Sequence, residues 1–271
     1  MKKLAALVLA LVILSVPLLT MAEGKTKIVI GGSPTPHVEI LEFIKPMLEE
    51  KGFELDIRVF TDYVTMNPAT SAGDLDANYF QHVPFLSQYN ATLPEDQQLV
   101  AAIGVHYEPF ALYAGKTKSL EEMQDGATIT ITNDPANEAR AMMLLDSAGL
   151  ITLREGVGLN ATILDIIDNP RSLNITEIDA PQLPRTLADV DFAVINGNYA
   201  LDAGLSPAKD AVFVEPADSE AGKTYTNYVV VRPEDQDAEW VAAIREVITS
   251  DAVREFILGK EEYKGGVIPS F

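Results

Sequence analysis

Asn137 and Arg140 stand three residues apart in the stretch Asn133-Asp-Pro-Ala-Asn-Glu-Ala-Arg140, a spacing that places both on one helix face. A guanidinium presents a planar fork of donors that fits a carboxylate through two parallel hydrogen bonds. The unpaired N–H groups at a helix start add to the same attraction. The chemistry implied is capture of an organic acid group. The plainer alternative is a capped surface helix whose arginine pairs with Asp134 or Glu138. A second set of polar and aromatic residues, Tyr63, Tyr79, Phe80, His82, His106, Tyr107, Asn196 and Asn198, follows segments that read as strands. Each aromatic alone fits a packing role, and each histidine a hydrogen-bonded structural one. Their concentration at strand ends is what points to a site, because apolar walls with a few convergent polar groups are the make-up of a small-molecule pocket.

Covalent chemistry finds little support. The chain has no cysteine, which excludes disulfides, thiolate metal sites and thiol nucleophiles. The three histidines, His37, His82 and His106, are far apart, with no HExxH and no acidic ligand at zinc spacing, so no metal is expected. Neither a GxSxG elbow nor a phosphate-binding glycine loop occurs, and among 40 carboxylates no spacing singles out an acid/base pair. The expectation is a binding protein without cofactor, not an enzyme.

The elements that must hold these residues follow from periodicity. Ala127-Thr-Ile-Thr-Ile-Thr132 alternates two β-branched types and predicts a strand. Asp134 then supplies an N-cap and Pro135 suits the first helical position, so a helix over Ala136–Ala148 starts at a strand's carboxyl end. In open α/β sheets ligands bind at that end. Upstream, strand Lys27–Gly32, a rigid Pro-rich loop Ser33–His37, a helix carrying Val38, Leu41, Ile44 and Leu48, and strand Glu54–Phe60 form a βαβ unit. A brief strand ending in Tyr79–His82, helix Val83–Tyr89, strand Leu99–Val105 and the segment Phe110–Ala114 follow. Beyond the 136–148 helix the pattern gives a short helix at Thr162–Ile167, strand Leu173–Ile178, a short helix at Gln182–Ala188 and strand Asp191–Ile195. A helix to Ala203, strands at 211–214 and 225–231, helices at 238–248 and 252–258, and an irregular tail from Gly265 complete the chain.

Two successive α/β units predict two lobes with a ligand cleft between them. The expected division is residues 23–110 plus 228–271 for lobe 1 and 111–227 for lobe 2. Neither crossing carries a Gly/Ser linker, so the lobes should hinge rather than float. Residues 1–22 read as a secretory signal: Lys2 and Lys3, an apolar run from Leu4 to Leu19, and small residues before Glu23. The formal net charge of −20 repels nucleic acid and anionic lipid but not a zwitterion.

Several segments together resemble the methionine-binding proteins of ABC importers. They are Gly32–His37, Phe60–Tyr63, Leu75–His82, His106–Pro109, Asn133–Arg140, Ala180–Arg185 and Val194–Ala200, collinear over residues 27–271. The resemblance implies a two-lobed solute receptor of the periplasmic-binding-protein (type II-like) fold, each lobe a mixed sheet flanked by helices. It would close on L-methionine, D-methionine or a methionine-containing dipeptide and deliver it to permease and ATPase subunits. It implies that Arg140 clamps the ligand carboxylate and that Asn196 and Asn227 bond the ammonium and carboxylate groups. Tyr63, Phe80, His82 and His106 would enclose the side chain, with Tyr79, Tyr107, Asn137 and Asn198 as second choices. A thioether gains from aromatic neighbours. Relatives with this pattern carry a lipid-modified cysteine at the signal boundary, where this chain has Ala22-Glu23. Either a freely diffusing receptor or an uncleaved signal helix is therefore expected in place of a lipid anchor, and the protein is expected to be exported and monomeric. Another amino acid or short peptide as ligand, a secreted hydrolase, and a surface adhesin are the alternatives.

Overall fold

A computed structural model describes residues 25–216 and 224–271. The expected signal segment lies outside them. The structure has two lobes, each a mixed sheet flanked by helices. In the first, β1 (Thr26–Gly32), β2 (Phe53–Val59), β3 (Ala77–His82), β4 (Val100–Tyr107), β12 (Thr226–Val231) and β13 (Ile268–Pro269) form a six-stranded sheet in the order β13-β4-β12-β3-β1-β2. In the second, β5 (Ala111–Ala114), β6 (Thr128–Thr132), β9 (Asn174–Ile178), β10 (Phe192–Ile195) and β11 (Ala211–Val214) are ordered β11-β5-β10-β6-β9. A separate ribbon joins β7 (Thr152–Leu153) to β8 (Ile166–Asp168).

The cores follow from the strand patterns. Ile28 and Ile30 on β1 pack with Ile40, Leu41, Ile44 and Leu48, the apolar stripe of α1 (Glu39–Glu50). In the second lobe Ile129 and Ile131 on β6 pack against Ala141, Met142 and Leu145 of α4 (Pro135–Ser147). β1 runs parallel to β2 and β3, whereas β12 enters antiparallel between β3 and β4. That insertion brings the start of β12 to the carboxyl ends of its neighbours: Asn227 lies opposite both His82 and His106.

Three segments differ from the sequence expectation. Thr162–Ile167 is not a helix. Ile163–Asp165 makes one 3-10 turn, and Ile166 then opens β8. Thr162 and Asp165 close a capping box on that turn, and pairing with β7 takes the rest of the apolar run. Met66–Ala72, to which the sequence reading assigns no element, forms helix α2. It is held by tertiary bonds: Asn67 Nδ2 donates to Gln81 Oε1 at 2.9 Å and Asn78 Nδ2 to Thr70 Oγ1 at 2.7 Å. The tail is not wholly irregular either, since Ile268 and Pro269 pair with Tyr107 and His106. A proline is tolerated there because the strand is at the sheet edge.

Candidate ligand cleft between the lobes

The cleft is built from strand ends. β3 finishes at His82, whose Nδ1 accepts from Phe85 N–H at 3.3 Å and so caps α3 (Val83–Asn90). β6 runs into α4 through Asp134, whose carboxylate accepts from the Asn137 N–H at 3.0 Å. β10 ends at Asn196, the N-cap of α6 (Gly197–Asp202). These ends face each other across one cleft. It is lined by Tyr63, Phe80, His82 and Asn227 from lobe 1 and by Asn137, Arg140, Asn196 and Asn198 from lobe 2, together with Gln81, Phe85, Glu108 and Gly197.

One side is aromatic. The rings of Tyr63, Phe80 and Phe85 meet pairwise at centroid distances of 5.7 Å. Phe80 and His82 share a pleat face of β3, two residues apart, which turns both toward the second lobe. Tyr63 OH donates to Asn198 Oδ1 across the cleft, and His82 Nε2–H donates to Asn137 Oδ1 at 3.0 Å. Burial, reinforced by the Arg140 charge, lowers the His82 pKa to about 3, so the ring is neutral at pH 7.

The other side is polar. Arg140 is 4% exposed. It does not pair with Asp134 or Glu138. Its Nε and Nη2 donate to Glu215 at 3.2 and 2.5 Å, and Nη2 also donates to the Glu108 carbonyl at 2.9 Å. Tyr225 stacks beneath the guanidinium at 4.0 Å. Burial works against both charges, but their mutual attraction outweighs it: Arg140 is held above its ordinary pKa and Glu215 below. Arg140 thereby ties together the ends of two strands, since Glu108 follows β4 and Glu215 follows β11. Glu215 also accepts from Tyr107 OH at 2.5 Å and Phe110 N–H at 3.2 Å.

Two buried amide atoms on the cavity wall, Asn196 Oδ1 and Asn198 Nδ2, lack a hydrogen-bond partner among the described residues. One is an acceptor and the other a donor. Such groups cost free energy unless something binds them. Asn227 Oδ1 accepts from His37 Nε2 at 3.1 Å, which commits its acceptor and leaves its Nδ2 hydrogens for another partner.

Three expected wall residues stand elsewhere. His106, which ought to reach a ligand, is fully buried behind the wall; its Nε2–H donates to Glu108 Oε1 at 2.7 Å and its Nδ1 accepts from Tyr79 OH. Tyr79 faces the lobe 1 core on the pleat opposite Phe80. Tyr107 serves the Glu215 bond. In turn, Phe85, Glu108, Gly197 and the supporting His37 escape the sequence reading. Glu108 and Phe85 each follow a strand end, the same cue that marked the others. Wide sequence spacing also concealed a cluster: donor atoms of His37, His106 and Glu108 lie within 4.8 Å of one another. The hydrogen bonds just described already engage those atoms, and burial keeps both rings neutral, His37 at about 4 and His106 at about 3.

A two-lobed α/β chain with a mixed polar and aromatic cleft at its strand ends has the architecture of the substrate-binding proteins. The chain matches the NlpA lipoprotein family over residues 28–271 and is a member of it. It is 40% identical over 251 residues to the methionine-binding lipoprotein MetQ of Bacillus subtilis, covering 91% of this chain and 89% of that protein. It is 41% identical over 233 residues to the D-methionine-binding lipoprotein MetQ of Escherichia coli, covering 85% and 83%. A nutrient-binding protein from Burkholderia cenocepacia bound to methionine superposes with a TM-score of 0.84 at 41% identity, over 90% of this chain and 100% of that one. Among the described residues no helix is long and apolar enough to cross a membrane.

Proposed function

We propose that this protein binds methionine between its lobes and delivers it, as a monomer, to the permease and ATPase subunits of an ABC importer, without catalysing any reaction. The observation that carries the reading is the pairing of opposite polar needs on one wall. An unpartnered acceptor (Asn196 Oδ1) and an unpartnered donor (Asn198 Nδ2) face the same cavity as a guanidinium, opposite three clustered aromatic rings. A desolvated zwitterion requires both kinds of partner, and its thioether gains from the rings. In this reading Arg140, Asn198 and Asn227 meet the carboxylate and Asn196 meets the ammonium. Tyr63, Phe80, His82 and Phe85 surround the side chain, and Asn137 fixes His82. The lobe built on β1–β4, β12 and β13 moves as one body against the lobe built on β5, β6 and β9–β11, closing on the ligand.

The test is a thermal-shift screen of the amino acids, both methionine stereoisomers and methionine dipeptides. A ligand present at 100 times its Kd should raise stability by about 2.7 kcal/mol. If neither methionine stereoisomer nor a methionine dipeptide shifts the melt, while another compound does, the methionine reading is wrong.

A further inference from the structure

Glu108 is the sole carboxylate on the cavity wall among the described residues, and the reading above gives it no role. It is 6% exposed. Three elements pack against its side chain. From β4, His106 Nε2–H reaches Oε1 at 2.7 Å. From the helical turn Pro34–Val38 that precedes α1, His37 Nε2 stands 3.5 Å from the same oxygen. From α6, the backbone at Gly197 and Asn198 comes up against the carboxyl group. Gly197 permits that approach: a Cβ there would fall 2.6 Å from Oε2. Oε2 therefore lies at the residue following Asn196, whose Oδ1 is the unpartnered acceptor.

The charges then divide in two. Arg140 is already matched by Glu215. A zwitterion placing its carboxylate on Arg140 still brings a cation that must be desolvated and paired. The one anion on the wall able to meet it is Glu108. We propose that Glu108 is the counter-charge for the ligand's primary ammonium group, with His106, itself braced by Tyr79, as the residue that positions it. The pocket then selects a free amine over an amine-less acid of the same shape. The inference rests on the methionine reading and adds to it the group that reads the amine.

Burial holds the Glu108 carboxyl above its ordinary range in the ligand-free protein, against the pull of His37 and Arg140. An ammonium beside it favours the ionised form. Binding should thus release a proton at pH values below that raised pKa, and affinity for L-methionine should fall as the pH drops through it.

The experiment compares L-methionine with 4-methylthiobutanoate, the same molecule without its amine, by calorimetry on the wild type and on Glu108→Gln. In the wild type L-methionine should win by about 100-fold, the usual scale for a desolvated charge pair. In Glu108→Gln that advantage should shrink to about tenfold or less, with binding of the amine-less acid retained. His106→Gln, which keeps a donor, should preserve more of the advantage than His106→Ala, and His106→Ala should shift the pH at which affinity falls. A wild type that binds L-methionine with the advantage intact in Glu108→Gln overturns the role of Glu108 and leaves the methionine reading standing. Equal loss of both compounds in Glu108→Gln means a structural role and also overturns it. A wild type that binds neither methionine stereoisomer nor a methionine dipeptide overturns both readings. If Glu108→Gln does not fold, the wild type decides alone: equal affinity for the two compounds refutes the assignment.

Discussion

Replacing Arg140 by Ala should do two separable things. It removes the guanidinium from the cavity, and it strands Glu215 as a largely buried, unpaired carboxylate beside Tyr107 and Phe110. Breaking one side of a buried ion pair costs about 3–5 kcal/mol. For a protein of this size each kcal/mol moves the melting midpoint by about 2–4 °C, so the single variant should melt roughly 6–20 °C lower. The double change Arg140→Met with Glu215→Leu removes both charges while keeping volume, and it should regain most of that loss. Neither variant should bind methionine. Calorimetric melting and titration on the two proteins check this. An Arg140→Ala protein that melts and binds like the wild type refutes the reasoning. A double variant that recovers binding refutes the role of the guanidinium in the cleft. Because the Glu215 pKa is depressed in the folded state, this stabilisation is full above the ordinary carboxylate pKa. It is lost as the pH falls through the lowered value.

Asn227→Ala should abolish methionine binding, and His37→Ala should weaken it by about tenfold by freeing the amide to turn; titration calorimetry measures both. Gly197→Ala should cost about 1–3 kcal/mol of stability and most of the affinity, because its Cβ would meet the Glu108 side chain at 2.6 to 2.7 Å; melting and titration read the two effects. His37, His82 and His106 are buried neutral, with folded pKa values of about 4, 3 and 3. The stability they contribute is complete above pH 6.5 and should erode below it, by up to about 1.4 kcal/mol per pH unit for each, with Glu108 offsetting part of it. Urea midpoints measured from pH 7 down to about 4 test this, and a flat profile would contradict neutral burial.

Much of the scaffold was readable from the chain alone. Thr–Ile alternation in Ala127–Thr132, the Asp134-Pro135 start of α4 and the i, i+3, i+4 stripe of α1 depend on neighbours within a few residues. Local periodicity and capping fix such elements before any tertiary contact forms. The placement of polar and aromatic residues at strand ends was local too, and it picked out Tyr63, Phe80, His82, Arg140, Asn196 and Asn198, all of which line the cavity. Helix α2 was not readable, because its weak helix formers are held by side-chain bonds to β3 rather than by propensity.

What the fold alone decided is how those residues divide their work. His106 and Tyr107 are adjacent at the end of β4, yet the pleat sends one behind Glu108 and the other to Glu215. The partner of Arg140 lies 75 residues downstream and that of His37 lies 190 away, separations that no periodicity encodes. Only the antiparallel insertion of β12 between β3 and β4 brings Asn227 to His82 and His106. Sequence sets the period and the caps because those arise from nearby backbone geometry. Strand order and sheet register, which arise from burial of the whole core, choose which side chains meet in the cleft.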